Sequence, residues 1–261
     1  MATIDELYAN KIFLNAVLPL VKVVVEDKQN LAEAFKGKNA KIQISAADPS
    51  GKVATHFDIQ DGQWTVVKGT TEKPDLELEF PSITAFNNFF SGKSKKLPKI
   101  KGWYKVGLLI GTLRSLMAMG NLLSLKKPPE KAEDKELLVK LFFYLLSSGI
   151  SQLNKAEHPD VSKWAKRNPD RIYAWGVLGK PELSAYIRVK AGNTKAARGE
   201  YTRSKPFFTM RFDSVDSALG ILLQIDNMIE ATIKSRIIME GAPEYGAQIG
   251  EFMTLVGAYV S

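Results

Sequence analysis

Lys99-Ile-Lys-Gly-Trp-Tyr-Lys-Val-Gly-Leu-Leu-Ile-Gly-Thr-Leu-Arg-Ser-Leu116 is matched without a gap by Ile238-Met-Glu-Gly-Ala-Pro-Glu-Tyr-Gly-Ala-Gln-Ile-Gly-Glu-Phe-Met-Thr-Leu255. Gly102, Gly107, Ile110, Gly111 and Leu116 fall on Gly241, Gly246, Ile249, Gly250 and Leu255. Upstream, Pro74–Phe80 lies over Pro206–Phe212, each followed by a serine and a helical pattern. A shared period this long reads as a duplicated domain rather than a short solenoid repeat.

Working outward from the first copy, Ile4 to Phe35 reads as helix, bent or broken at Pro19 and stopped at Gly37. Short strands follow. Ile42 and Ile44 alternate with polar neighbours, and Asp48-Pro-Ser-Gly51 makes a turn. Val53, Thr55, Phe57 and Ile59 share a strand face, Asp61-Gly62 is a hairpin turn, and Trp64, Val66 and Lys68 continue the meander. Leu76, Leu78 and Phe80 alternate with Glu77 and Glu79, predicting one dry and one wet face. Ser82 caps a helix carrying Ile83, Phe86, Asn87 and Phe90; Leu97–Lys101 is a short strand, and Gly102 opens a helix ending near Leu123.

The segment Leu125-Lys-Lys-Pro-Pro-Glu-Lys-Ala-Glu-Asp134 marks a boundary by its prolines and charge, giving domains 1–127 and 128–261. The second half repeats the plan. Helix runs from Lys135 to Asn154 and from Asp160 to Arg167, and strands lie near 171–178, 182–190, 194–201 and 206–212. Ala191-Gly192-Asn193 stands at the hairpin, and helix 214–229, strand 234–240 and helix 243–260 close the copy. The fold class is therefore α+β: two domains, each an antiparallel sheet of about five strands covered by helices.

The 261 residues carry a net charge of +8 and ordinary globular composition. With no cysteine, disulfides, thiolate metal sites and cysteine nucleophiles are excluded, and a reducing cytoplasm is the expected setting. The acidic residues in MATIDELYANK do not suit a secretory signal. Ile12–Val25 is interrupted by Asn15, Pro19 and Lys22, and Val106–Leu123 by Arg114, Ser115 and three glycines, so a soluble protein is expected.

No catalytic signature is present, so no enzyme, cofactor or metal is expected. Gly92-Lys93-Ser94 imitates the end of a phosphate loop, but Asn87 stands where its first glycine would be. His56 and His158 lie in different halves and are expected at the surface or, for His56, beside Asp58; they make no metal site.

The order of Pro74-Asp75 with its alternating strand, Phe-Phe-Ser-Gly-Lys at 89–93, Leu-Pro-Lys-Ile-Lys-Gly at 97–102 and a final amphipathic helix resembles the sterol carrier protein lipid-transfer family over roughly 35–123. The resemblance implies a five-stranded sheet and covering helices around an apolar tunnel for sterols, fatty acids or acyl-CoA. The second half resembles the family mainly through the first. There Met239-Glu240-Gly241 replaces Ile-Lys-Gly and the lysine cluster has no counterpart, as in a diverged structural or dimerising copy.

The expected function is non-catalytic binding or transfer of a hydrophobic small molecule between sheet and C-terminal helix. In the first half the candidate lining is Phe57, Trp64, Phe86, Phe89, Phe90 and Trp103, with Leu109, Leu113, Leu116 and Met117 of the last helix. In the second it is Trp175, Phe208, Met210 and Phe252. Plain core packing explains the same aromatic residues. Lys93, Lys95, Lys96, Lys99, Lys101 and Lys105 are candidates for an anionic head group or a transient membrane surface, against the reading of a solvated loop. Nucleic acid ranks below lipid because no recognised binding module is present. Homo-oligomerisation, a structural protein with closed pockets and an accessory to an enzyme of lipid or steroid substrates stay open.

Overall fold

The computed structural model describes residues 2–261. They divide into a first unit up to Asn121 with Tyr259–Ser261, and a second unit, Leu122–Ala258.

The first unit begins with α1 (Ile4–Ile12), whose start is fixed by a capping box: the Thr3 hydroxyl accepts from the Glu6 amide at 3.2 Å and the Glu6 carboxylate from the Thr3 amide at 2.7 Å. A π-helical turn at Phe13–Val17 then leads through Pro19 into α2 (Leu20–Asp27) and a short α3 (Gln29–Ala32). The bend thus sits one turn before the proline. In π spacing the Leu14 carbonyl would meet the nitrogen of Pro19, which has no hydrogen. Thr55 supplies the missing donor, its Oγ1 lying 2.6 Å from the Leu14 oxygen in a fully buried site. Thr55→Val is therefore expected to cost about 1–3 kcal/mol in urea unfolding, and Thr55→Ser to recover most of it, because the orphaned carbonyl has no route to water.

Strands β1 (Ala40–Asp48), β2 (Gly51–Gln60) and β3 (Gln63–Lys68) form a meander. Its tip is Asp61-Gly62, both residues having positive φ as a primed hairpin turn requires. The chain then crosses the sheet through residues 69–75 and enters β4 (Leu76–Phe80), which pairs with β1 in parallel register, Ile42 opposite Leu76. Helix α4 (Ile83–Phe90), capped by Ser82, returns to a three-residue β5 (Lys99–Lys101) antiparallel to β4. Helix α5 (Val106–Leu123) follows. Strand order is β3-β2-β1-β4-β5, so the sheet is mixed and not antiparallel as the sequence predicted. Alternating side chains determine which face a strand buries but not its direction, and only the crossover settles the latter.

In the second unit α6 (Ala132–Lys155) and α7 (Pro159–Arg167) precede β6 (Arg171–Val177), β7 (Lys180–Lys190), β8 (Asn193–Arg198) and β9 (Phe208–Phe212). After them come α8 (Val215–Leu222), α9 (Met228–Ile233), β10 (Ile237–Glu240) and α10 (Pro243–Val260). The order β8-β7-β6-β9-β10 and the parallel pairing of β6 with β9 repeat the first sheet. Equivalent hydrogen bonds tie both ends of each crossover. Gly69 to Ala54 and Asp75 to Lys41 (2.9 and 2.8 Å) are matched by Gly199 to Ser184 and Phe207 to Ile172 (2.8 and 2.9 Å). α6 packs across β7 and β8 and against α8. The helix expected over 214–229 is split: α8 ends at Leu222, and Asn227 caps α9 by accepting from the amides of Ile229 and Glu230.

Both histidines are buried, contrary to expectation. His56 Nδ1 lies 2.9 Å from the Gly69 carbonyl at the start of the crossover, and the His158 amide donates to the Leu153 carbonyl. Three stretches are long and apolar enough to cross a membrane. Ile4–Asp27 and Ala132–Lys155 are 78% buried in the protein over their apolar windows, whereas Val106–Leu123 is only 33% buried.

Candidate functional site

The first unit's aromatic residues form two groups. Phe13, Phe80, Phe86, Phe89 and Phe90 interlock with ring centroids 4.7–6.3 Å apart, filling one end between α1, α4 and the sheet. At the other end Trp64 sits edge-on to Phe35 at 4.8 Å and tilted against Phe57 at 5.1 Å. The expected lining is thereby divided: Phe86 is buried core with Phe89 and Phe90 half-buried beside it, and Phe57 and Trp64 lie with Phe35 at the other end.

Trp64 is 3% exposed, and its indole Nε1–H has no hydrogen-bond partner among the described residues. A buried orphan donor costs about 1–3 kcal/mol unless something accepts from it. Phe35 above it touches α5 through Gly111, where an added methyl would lie 3.0 Å from the ring. Next to this contact a shallow cleft of about 340 Å³ opens between Lys38–Ala40, Asp75 and the first turn of α5, Lys105–Leu108. Lys105 pairs with Asp75 at its rim. Burial works against ionisation of Asp75, but the Lys105 and Lys41 hydrogen bonds outweigh it and lower its pKa. Phe35 and Lys38 escaped the sequence reading because they stand beside the Gly37 stop, where composition suggests only a loop.

The structure turns α5 differently from the expectation. Its buried edge carries Leu108, Thr112, Ser115 and Met119, with the two hydroxyls bonded back to the Leu108 and Gly111 carbonyls. Leu109 and Leu116 are half-buried, and Val106, Ile110, Leu113 and Met117 form an exposed apolar stripe, Met117 at 64%. Trp103 and Tyr104 precede the helix at 65% and 68% exposure, so Trp103 lines no interior.

The lysine cluster divides as well. Lys101 and Lys52 straddle Glu77 and Glu79 on the sheet face opposite the helices. Glu77, expected on a wet face, is 3% exposed and accepts from Gln43, Ser45 and Lys52, each at 2.7 Å, and from Lys101 at 3.1 Å. Burial raises its pKa, but these donors overcome that and hold it at about 2. Hydrogen bonds to Glu79 and Glu77 raise the Lys101 pKa in turn. Lys93, which donates to the Ser261 carbonyl, and Lys95, Lys96 and Lys99 are exposed.

In the second unit Trp175, Phe208, Met210 and Phe252 are all buried. Phe252 reaches Phe208 through Trp164 and Tyr173, in ring contacts of 5.3–6.5 Å. Trp175 Nε1 donates to the Phe143 carbonyl at 3.4 Å. The register position of Trp64 is taken by Thr194, whose hydroxyl is bonded to Ser151 and Asn154. Where the first unit leaves a donor orphaned, the second is satisfied.

No protein-family model matches the chain, and no curated protein sequence matches it. Among solved structures, the stereoselective inverting sec-alkylsulfatase Pisa1 from Pseudomonas sp. is similar at a TM-score of 0.27 and 14% identity, over 58% of this chain and 28% of that one. A conserved hypothetical protein of Thermus thermophilus, described as a sterol carrier protein candidate, is similar at a TM-score of 0.27 and 14% identity, over 46% of this chain and 87% of that one. This chain thus spans little more than a quarter of the alkylsulfatase.

Proposed function

We propose that the first unit binds a hydrophobic small molecule bearing one polar end, of the fatty-acid or sterol type, beneath α5 and without catalysis. The orphan N–H of Trp64 carries this reading: it is a buried donor among apolar rings, suited to one oxygen of an otherwise apolar guest. Each methylene buried contributes about 0.8 kcal/mol relative to water, which offsets what the guest gives up on leaving a bilayer, so that transfer needs no covalent step. The satisfied polar cluster at Thr194 supports reading the second unit as a diverged copy without this site, and the shared strand order and register support a duplication.

Native mass spectrometry of gently purified protein with added oleate or cholesterol tests the reading. One guest per chain is expected, with Trp64→Phe weakening it at least about fivefold through loss of the hydrogen bond. An apo mass unmoved by both probes sinks the proposal.

The exposed stripe of α5, with exposed Trp103 and Tyr104 just before it and the exposed lysines of 93–99 upstream in the chain, supports docking on an anionic bilayer. Near such a surface each lysine contributes about 1 kcal/mol. Lys96→Glu combined with Lys99→Glu is expected to reduce binding to phosphatidylserine-containing vesicles at least about tenfold in flotation assays. Vesicles of phosphatidylcholine alone should show little binding at all.

A further inference from the structure

The two sheets share a register but not the contents of their outer faces. In the first unit the face away from the helices is filled. Gln43 stands opposite Glu77 and Ser45 opposite Glu79, and residues 69–75 cross above them, the Thr71 amide donating to the Gln43 side-chain Oε1 at 2.6 Å. At the same register positions the second unit has Ala174 opposite Thr209 and Gly176 opposite Arg211. A glutamine and a glutamate have shrunk to alanine and threonine, a serine to glycine, and the remaining glutamate has become arginine.

A cavity of about 180 Å³ occupies the space this leaves. Its floor is Ala174, Gly176, Ser184, Thr209 and Arg211, and its wall is the crossover segment with Glu200 and Tyr201. Tyr201 is fixed there by an edge-on contact with Tyr186 at 5.0 Å. Arg211 Nη2 lies 3.7 Å from Glu200 Oε1, an ion pair too long for a hydrogen bond. Arg211 lines the cavity, and its planar guanidinium carries donors suited to a carboxylate in two-point contact. Lys180 lines the site too, but its ammonium is committed to Glu136 at 2.6 Å.

We infer that this cavity binds a small organic carboxylate, which brings from outside the acid group that Glu77 provides from within in the first unit. Arg211 receives the carboxylate, the hydroxyls of Ser184 and Thr209 lie on the floor beside it, and the apolar body rests between Ala174, Gly176 and Tyr201. A cavity of this size suits a short-chain or single-ring acid, and the site is independent of the lipid reading of the first unit.

The test is a ¹H–¹⁵N titration of the full chain with benzoate and, separately, benzamide at fixed ionic strength. Benzoate is expected to give saturable shifts at the amides of Gly176, Gly199 and Tyr201, with benzamide at least tenfold weaker. Arg211→Gln should weaken benzoate at least tenfold. Glu200→Gln should tighten it severalfold by removing the competing acid, which a misfolded variant cannot imitate. Equal binding of benzoate and benzamide, shifts confined to other residues, or unchanged affinity in both variants overturns the inference. Failure of oleate and cholesterol to bind leaves these reporters untouched.

Discussion

Glu77→Ala is expected to destabilise the first unit by about 3 kcal/mol, because the carboxylate it removes is buried and pairs with both the Lys52 and the Lys101 ammonium groups. Gln43 and Ser45 lose their common acceptor at the same time. The pH dependence has a definite sign. The folded Glu77 pKa of about 2 lies below its ordinary value of 4.5, so the stabilisation is fully present above about pH 5 and is lost as pH falls toward 2 and below. At 1.36 kcal/mol per pH unit of displacement this amounts to about 3 kcal/mol. Urea unfolding from pH 7 down to pH 2 should therefore show a steep decline in the wild type. Glu77→Ala should start lower and decline more gently. Parallel pH curves for the two proteins would show that the network does not stabilise the fold.

Gly102→Ala should have a comparable effect from a different cause, about 3–4 kcal/mol. Gly102 has φ +77°, and a methyl there would lie 2.0 Å from the backbone oxygen of Asp75 at the entry to β4. Backbone cannot swing aside as a side chain can, so β5 must detach or β4 must move. The matching Gly241 has φ +112° and its methyl would stand 3.0 Å from the Phe207 oxygen, so Gly241→Ala should cost less. Gly107→Ala is the control: the nearest atom is the Lys38 ammonium at 3.5 Å, and an alanine in the first turn of α5 should stabilise slightly, by no more than about 0.5 kcal/mol. Thermal unfolding of the three variants checks the ranking, and equal losses would refute the steric account.

Much of the fold was legible because local chemistry dictated it. Asp61-Gly62 and Ala191-Gly192 determine their hairpins through positive φ, and Ser82 and Ser214 start their helices by capping. What escaped was decided at long range. The direction of β4 depends on where residues 69–75 travel. The burial of Glu77 depends on donors from β1, β2 and β5 that no alternating pattern reveals. Helical periodicity in α5 identified apolar positions without saying which would be covered, so Leu113 and Met117 were assigned inward and lie outward. Asn227, which caps α9, lies inside the 214–229 stretch where helical spacing predicts a single helix. Strand alternation indicates that Phe57 and Trp64 are buried, whereas the glycine beside Phe35 masks it. Given a methyl, Gly111 and Gly246 sit within 3.0 Å of a neighbouring ring and Gly107 and Gly250 do not, so matching helix positions make different contacts in the two units.

The parallel pairing of β1 with β4 also sets a timetable. The meander β1-β2-β3 can zip from its turns, since every partner is a sequence neighbour. Strand β4 must wait until the crossover has carried it past two strands to the far edge of β1, and β5 has nothing to pair with until β4 arrives. Loop closure over such a separation is slow relative to hairpin formation. Each unit should accordingly mature in two kinetic steps, with the amides of β1 that face β4 gaining exchange protection after those that face β2.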